Sequence, residues 1–263
     1  MYGPVRRACS SSSTQRFALR VACGVGFTLV YSAETPSGQR PSVVLFGEMK
    51  GIEPTEAADV RGLVHLPELD GINIARLTAG AFHGMALTDG GELWSFGDWS
   101  GPDSANGSLL GREWTASSDY ARPAKVSLKH LQQDKDKLPP TLLELDSSTY
   151  STIAVTSDGA AVTWGDSDGH GLGHTLGRCS VPTKVAIDDP VAHAAIAFTS
   201  GILVTAKQAI YTWGGGMWDG GIGGDHSEPT QLEWEFPEGY ECARICISMG
   251  HGVLILRRKA SRR

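Results

Sequence analysis

The sequence has no apolar run approaching the roughly 18 residues that a membrane-spanning helix needs. Apolar patterns of helical period are also scarce, and the one weak helix candidate covers residues 127–136. Nothing in the chain therefore predicts a transmembrane segment. The 33 glycines and 13 prolines among 263 residues instead indicate a chain with many turns, long enough to bury a sizeable core.

Cysteine is infrequent as well, and the sequence contains only Cys9, Cys23, Cys179, Cys242 and Cys246. Their number is odd, and no two have the Cys-x-x-Cys spacing. This usage argues against a disulfide framework and favours a reducing compartment. Cys242 and Cys246 lie in a strand-like run, so we expect both thiols to be buried.

The sequence lacks a recognisable set of catalytic residues. The glycine-rich stretch 214–221 does not continue into the Gly-Lys-Ser/Thr ending that binds phosphate. His170 and His174 have an interval that metal ligands use, but no third ligand of matching kind lies nearby in the sequence. We therefore predict no catalytic residue, no metal site and no cofactor, and we expect the protein not to be an enzyme.

Acidic residues are absent from both ends of the chain. Residues 1–20 contain four basic residues and residues 257–263 contain five, without a single acid. Setting these nine aside leaves 14 of the 23 basic residues against 29 acidic ones, a net charge near −15 for the body of the chain. Such a body is not expected to bind nucleic acid. Its surface suits either a basic partner or solvent alone.

The two ends also differ from the middle in composition. Residues 1–16 form a basic tail rich in Ser and Arg, which is typical of either a disordered tail or a mitochondrial presequence. Residues 257–263 form a second basic tail. We expect a cytoplasmic or nuclear protein, and the N-terminal composition makes the mitochondrion the alternative.

What the sequence does contain is one short phrase in four copies and part of a fifth. Each full copy pairs two apolar runs across a polar turn, which is the local pattern of a β-hairpin. The copies end in Phe46-Gly47, Phe96-Gly97, Trp164-Gly165 and Trp213-Gly214. Their equivalent points are Phe27, His83, Ser151, Ser200 and His251. The spacings of 56, 68, 49 and 51 residues indicate propeller blades or solenoid turns, in which neighbouring copies cover one another.

Further short motifs follow these phrases in a fixed order. The third copy has Trp164-Gly165, Gly171-Leu172-Gly173 and Pro182-Thr183-Lys184-Val185. The fourth copy has Trp213-Gly214, Gly221-Ile222-Gly223 and Pro229-Thr230-Gln231-Leu232. On these motifs, residues 17–256 resemble the repeats of the regulator of chromosome condensation family. The resemblance implies an all-β fold, a β-propeller in which each repeat is one blade.

The number of repeats departs from the seven blades that are usual in this family. About four and a half repeats over residues 17–256 predict a partial, curved arc, a ring smaller than the family's, or a truncated product. An open end exposes apolar blade surface and unpaired strand edges. Self-association through open blade ends is therefore expected of a partial ring.

Several residues of the repeat are expected to serve the scaffold. Glycines after the aromatic residues allow positive φ or a close approach of strands that a Cβ would obstruct. The aromatic residues before them are expected to pack between blades. One further position holds His in two copies and Phe or Ser in the others, so we interpret it as structural. The structural residues are therefore Gly47, His83, Gly97, Trp164, Gly165, Trp213, Gly214 and His251.

Irregular segments between the repeats are the first candidates for a binding site. Residues 98–108 and 127–140 account for most of the extra length in the 68-residue spacing, and insertions in propellers lie on the faces where partners bind. The candidate partner-binding loop contains Asp98, Trp99, Asp103 and Asn106.

The family resemblance implies two functions. We favour a non-enzymatic protein–protein interaction scaffold whose partners are proteins. The alternative is a guanine-nucleotide exchange factor, or the regulator of one, for a Ran-like small GTPase.

Overall fold

The computed structural model describes residues 19–33, 38, 40–49, 52, 63–97, 108–113, 121–132, 134, 136–166, 171–215, 226–248 and 251–259. Helical structure in these residues is limited to short 3-10 turns at Pro67–Leu69, Ser108–Leu110 and Lys129–Leu131. The helix candidate at residues 127–136 is therefore wrong. Leu131 is the buried side chain of its 3-10 turn, so the segment has no continuous apolar face that would hold a longer helix.

The described strands form four sheets of four strands and one sheet of two, all paired antiparallel. The first sheet contains β1 (Leu19–Cys23), β2 (Phe27–Ser32), β3 (Ser42–Gly47) and β4 (Leu63–His65). The second contains β5 (Ile74–Ala79), β6 (His83–Thr88), β7 (Leu93–Gly97) and β8 (Ala124–Lys125). The third contains β9 (Leu142–Ser147), β10 (Ser151–Thr156), β11 (Ala161–Asp166) and β12 (Arg178–Lys184).

The fourth sheet contains β13 (Val191–Ile196), β14 (Ser200–Thr205), β15 (Ile210–Gly214) and β16 (His226–Gln231), and the two-stranded sheet contains β17 (Tyr240–Ile247) and β18 (Gly252–Arg258). In each complete sheet the strands follow one another in chain order. Each sequence repeat is therefore one meander of strands, that is, one blade.

The register of the second and third strands is the same in every complete blade. The pairs are Phe27↔Gly47, His83↔Gly97, Ser151↔Gly165 and Ser200↔Gly214. One hydrogen bond also recurs at the turn before the second strand: the backbone N–H of Gly24, Gly80, Ser148, Ala197 or Ser248 donates to the carbonyl three residues later. The repeat is thus a geometric unit as well as a sequence pattern.

The core lies between neighbouring blades. One apolar cluster joins the first and second blades, and three more join each later blade to the one before it. The second strands of the second, third and fourth blades are buried at every position, because each is covered on both faces. The first strands β1, β5, β9, β13 and β17 pack beside one another in this order and surround a central channel.

Candidate interaction surfaces

The directions of the strands distinguish the two ends of the channel. We define the upper face as the one where first strands end and second strands begin, next to Gly80 and His83 in the second blade. Third strands also end on this face, because Gly97 is paired with His83. The lower face is at the opposite ends of these strands, near Ile74 and Thr88.

A row of aromatic side chains crosses the upper face of three adjacent blades. The rings of Phe82 and Tyr150 are stacked with centroids 5.8 Å apart, and the ring of Phe198 lies 5.6 Å from that of Tyr150. All three side chains are half-buried. We call Phe82, Tyr150 and Phe198 the aromatic row.

The upper end of the channel lies beside this row. It is a cavity of about 350 Å³ to which each first strand or its following turn contributes small residues such as Gly24, Gly80 and Ser148. Backbone bonds tie the turns of neighbouring blades together here, from Val25 N–H to the carbonyl of Ala81 at 3.1 Å and from Ala81 N–H to that of Thr149 at 3.0 Å. The upper face is therefore a continuous surface built from several blades.

The predicted partner-binding residues Asp98, Trp99, Asp103 and Asn106 lie outside the described residues. The strand before them, β7, ends at Gly97 on the upper face. The described chain therefore stops, at Gly97, on the same face as the aromatic row. The sequence pattern did not reveal that row, because Phe198 is displaced by one position relative to Phe82 and Tyr150 when the repeats are aligned.

The second predicted segment, residues 127–140, connects β8 to β9 below the blades. Its described part packs against the blades through Leu131, which is 5% exposed, and through the ring of His130, whose Nε2 lies 2.6 Å from the carbonyl oxygen of Pro182. Leu138, in contrast, is 92% exposed. This segment is thus partly a structural connection.

Six of the eight predicted structural residues are buried, whereas Gly47 is half-buried and His251 is exposed. Trp164 and Trp213 are 0% and 3% exposed, and each packs against the blade before its own. A Cβ on Gly111 would lie 2.9 Å from the Trp164 indole nitrogen, and a Cβ on Gly173 would lie 2.9 Å from the Trp213 ring. The indole N–H of Trp213 donates to the Gly171 carbonyl at 2.9 Å. The Leu-Gly turn of one blade thus receives the aromatic side chain of the next.

Phe46 does not follow this pattern. It is 39% exposed, whereas Phe96 at the equivalent position is fully buried. The expectation that every aromatic residue at this position packs between blades is therefore wrong for Phe46, because the described residues contain no blade before the first one. Val21 is 53% exposed for the same reason, while its equivalent Leu77 is 8% exposed.

The last hairpin exposes the complementary surface. Val253 and Ile255 of β18 are 48% and 49% exposed, and the described residues place no further blade against them. Their equivalents Met85 and Leu87 in the second blade are at most 1% exposed. His251 lies one residue before β18 and is exposed too. The two ends of the blade stack thus each present half of a blade interface.

Two buried ionisable groups link neighbouring blades. The ring of His83 is fully buried, with Nε2 3.2 Å from the Thr152 hydroxyl of the next blade, and burial lowers its pKa to about 4. The carboxylate of Asp146 accepts the backbone N–H of Ile196 at 3.1 Å, and burial raises its pKa to about 6. The third blade therefore has an ionisable group at each of its two interfaces, and the stability of each interface should depend on the protonation of that group.

Cysteine burial differs from expectation at one position. Cys242 is buried and Cys246 is exposed, because the register shift between Cys242 and Arg244 puts these two residues on opposite sides of β17. Within the described residues, no cluster of three or more His, Cys, Asp or Glu side chains has metal-binding geometry. No helix in the described part of the chain is both long and apolar enough to cross a bilayer.

Comparison with known proteins identifies the type of repeat. No protein-family model matches the chain. The human Regulator of chromosome condensation is 28% identical over 158 residues, which is 59% of this chain and 33% of the human protein. The mouse Regulator of chromosome condensation is 27% identical over 148 residues, 55% of this chain and 31% of the mouse protein. The matched region thus spans about a third of these curated relatives.

Solved structures share the architecture. Human WBSCR16 superposes with a TM-score of 0.66 at 16% identity, over 93% of this chain and 76% of that one. Prp20p from Saccharomyces cerevisiae gives 0.67 at 16% identity, over 95% of this chain and 58% of that one. Yeast RCC1 (Prp20) in its complex with Kap60 gives 0.65 at 15% identity, over 96% and 56%.

The fold is therefore that of a β-propeller, with four complete blades and a half-blade over the described residues. In sequence, the matched part of the chain is similar to the repeats of the curated Regulator of chromosome condensation proteins. Both the predicted fold class and the family resemblance are confirmed.

Proposed function

We propose that the protein is a non-enzymatic scaffold that binds a protein partner through its upper face. The aromatic row is the observation that carries the proposal. Aromatic side chains are enriched in protein interfaces, where a few of them supply most of the binding energy. Phe82, Tyr150 and Phe198 are held by one another and by three blades, so they offer a rigid, half-exposed apolar surface.

Loop position and charge support the same proposal. The last described residue before Asp98 is Gly97, which lies on the upper face. The net charge near −15 of the chain between its two basic ends favours a partner with a basic surface over nucleic acid. We also propose a cytoplasmic or nuclear location, because the small, odd number of cysteines favours a reducing compartment.

Quantitative affinity purification tests the aromatic row. Proteins retained by the wild-type chain should be lost from Tyr150→Ala and Phe198→Ala, because each substitution removes one ring of the aromatic row from the surface. Tyr240→Ala is the matched control, since Tyr240 is also half-buried but lies at the lower end of the last hairpin. Thermal midpoints of all variants report on folding. Equal retention by Tyr150→Ala and wild type, with both folded, would contradict the proposal.

Exchange activity on a small GTPase is the second candidate. It is favoured by the similarity to the curated Regulator of chromosome condensation proteins and to Prp20p, whose structure was described together with its binding properties to Gsp1p and histones. Nucleotide release from a panel of purified small GTPases tests it. If wild type accelerates nucleotide release and Tyr150→Ala does not, exchange through the upper face is established. If wild type accelerates release from no GTPase in the panel, the scaffold function is the remaining proposal.

A further inference from the structure

The lower end of the channel carries ionisable side chains at one equivalent position of every blade. Each pairs with the second-strand residue four positions after the repeat's reference residue, which is His83 in the second blade. The pairs are Arg20↔Tyr31, Arg76↔Leu87, Glu144↔Val155, His193↔Val204 and Arg244↔Ile255. We call Arg20, Arg76, Glu144, His193 and Arg244 the charged layer.

An irregularity of the sheet accompanies this layer. In the last four blades the register of the first strand shifts directly beside it, for example between Ile74 and Arg76 and between Cys242 and Arg244. Such bulges reorient side chains and are common next to binding sites. The same feature at one place in four blades gives the charged layer a common orientation.

The charged layer lines a cavity of about 630 Å³ at the lower end of the channel. All five first strands contribute to its wall over the described residues. A volume of this size falls in the range of about 300–1,000 Å³ that small-molecule sites have. The cavity is thus large enough for an organic ion or for a side chain of a partner.

Glu144 is the single carboxylate of the charged layer, and contacts within the layer occupy most of its hydrogen-bonding positions. Glu144 lies 3.4 Å from Arg76 and 3.0 Å from the ring of His193, and its second oxygen accepts the backbone N–H of Ala194 at 3.4 Å. These contacts connect three successive blades. Little hydrogen-bonding capacity remains on Glu144 for Arg20 or Arg244.

Among the described residues, the guanidinium groups of Arg20 and Arg244 therefore form no direct ion pair with a carboxylate. Arg20 donates from Nε to the carbonyl of Ile74 at 2.8 Å, so its terminal nitrogens remain available. The side chain of Arg244 forms no hydrogen bond or ion pair within the described residues, and Asp146 is the acidic group close enough to interact with it through space. The carboxylate of Asp146 already accepts a hydrogen bond from the backbone N–H of Ile196 on the neighbouring first strand. Three arginines thus face two carboxylates, with His193 beside them.

We propose that the lower channel cavity is a binding site for an oxyanion, a carboxylate or phosphate group held by Arg20 and Arg244. Guanidinium groups bind such anions through paired, charge-assisted hydrogen bonds. The anion is either a small free molecule or an acidic side chain of a partner. The site is at the opposite end of the channel from the aromatic row, so it does not depend on the proposed function.

The contrasting explanation is purely structural: the layer only holds blades together. Arg76 and Glu144 do connect the second and third blades in this way. The side chain of Arg244 makes no hydrogen bond or ion pair to another blade among the described residues, although it occupies the equivalent position. The test therefore concentrates on Arg244 and Arg20 and leaves Arg76 unchanged.

Calorimetric titration of the purified chain at low salt is the experiment. The probes are inorganic phosphate, a six-residue peptide of Asp and Glu, and the matching peptide of Asn and Gln. Wild type should bind phosphate or the acidic peptide at one saturable site and ignore the neutral peptide. Arg244→Gln and Arg20→Gln should each weaken binding about tenfold or more, because each removes a charge-assisted contact.

Arg257→Gln is the matched control, since Arg257 lies on the same hairpin but pairs with Glu241 outside the cavity. It should change the affinity less than about twofold, because a remote surface charge is screened. Binding of phosphate alone identifies a small free anion, and displacement of phosphate by the acidic peptide identifies a carboxylate of a partner. The proposal is overturned if wild type binds neither anion, or if Arg257→Gln and Arg244→Gln weaken binding equally.

Discussion

One residue position shows how the chain fits large and small side chains into the same interface. A Cβ on Gly24 would lie 2.2 Å from the Phe27 ring, and a Cβ on Gly80 would lie 2.1 Å from the His83 ring. Where the large residue is replaced by Ser151, the residue three before it is Ser148 rather than glycine. The glycine is thus required by the ring that covers it, and His83 serves packing in the way that Phe27 does.

Gly165 should be intolerant of any side chain. Its φ is +117°, and a Cβ there would lie 2.2 Å from the carbonyl oxygen of Tyr150, a backbone atom that cannot move aside easily. We expect Gly165→Ala to lower the free energy of unfolding by about 2 kcal/mol or more, measured by chemical denaturation.

Gly90→Ala is the control for that measurement. A Cβ on Gly90 would meet only the Thr88 hydroxyl, at 3.7 Å. Its effect should stay within about 0.5 kcal/mol. An unchanged denaturation midpoint for Gly165→Ala would show that the glycine after the aromatic residue is not required by the backbone.

His83 should make the fold sensitive to acid. Its pKa is about 4 in the folded protein and near 6.5 when unfolded, so the unfolded chain takes up the proton first as the pH falls. Its contribution to stability is complete above about pH 6.5 and is lost on the way down to pH 4, by about 3 kcal/mol. In His83→Phe, which resembles the natural Phe27, this part of the acid sensitivity should disappear.

Denaturation free energies between pH 4 and 7 measure this effect. His251→Phe is the control, because His251 occupies the equivalent position of the last repeat and is exposed. It should leave the pH dependence as in wild type. Parallel pH curves for His83→Phe and wild type would show that the buried ring does not control acid stability.

At the scale of the strands, a single carboxylate joins the first strands of two blades. Asp146 of β9 accepts the Ile196 N–H of β13, and the guanidinium groups of Arg76 and Arg244 lower its pKa less than burial raises it. A neutral acid could accept the same hydrogen bond without a buried charge. The ionised form of Asp146 therefore destabilises the pairing of these blades at neutral pH.

Asp146→Asn should be more stable than wild type at neutral pH. The folded pKa of about 6 exceeds the ordinary 3.8, so the contribution of Asp146 to stability is complete below about pH 3.8 and is lost as the pH rises through 6. The advantage of Asn should grow by up to about 3 kcal/mol between pH 4 and 7.5. Denaturation at both pH values measures it, and exposed Asp89→Asn should show no such growth.

The strands could be predicted from sequence because local signals define them. Polar turns, apolar runs and aromatic-glycine pairs recur in register, and the structure pairs Ser151 with Gly165 as that register requires. The charged layer could not be predicted, because its members include arginine, glutamate and histidine, as in Arg76, Glu144 and His193, and stand on first strands at uneven spacing. The exposure of Phe46 was missed because it depends on a neighbouring blade, which a motif does not encode.

For the whole molecule, replacing the loop after β7 should reduce partner binding without changing the stability of the fold. Replacing residues 98–107 by a short Gly-Ser turn should change stability by less than about 1 kcal/mol, because the entropy of loop closure depends weakly on length. The replacement stops before Ser108–Leu110, where Leu109 and Leu110 are buried. Affinity purification should then show lost partners. If all partners remain and are lost instead on removing residues 259–263, the basic end rather than the upper face binds them.

The stack of blades is open at both described ends. Phe46 and Val21 are exposed on the first blade, and Val253 and Ile255 on the last hairpin, at positions that every internal interface buries. The central claim is that all blades share one interface and that, among the described residues, no blade covers the outer side of the first blade. The stability effect of an aromatic residue should therefore depend on its blade and not on its type.

Equilibrium unfolding of Phe96→Ala and Phe46→Ala tests this claim most directly, because the two residues are chemically identical and occupy equivalent positions. Phe96 is 0% exposed and Phe46 is 39% exposed. Phe96→Ala should lower the free energy of unfolding by about 3–5 kcal/mol, and Phe46→Ala by about 1 kcal/mol. Equal losses of about 3 kcal/mol or more for both variants would show that Phe46 is covered in solution, and would contradict an open first blade.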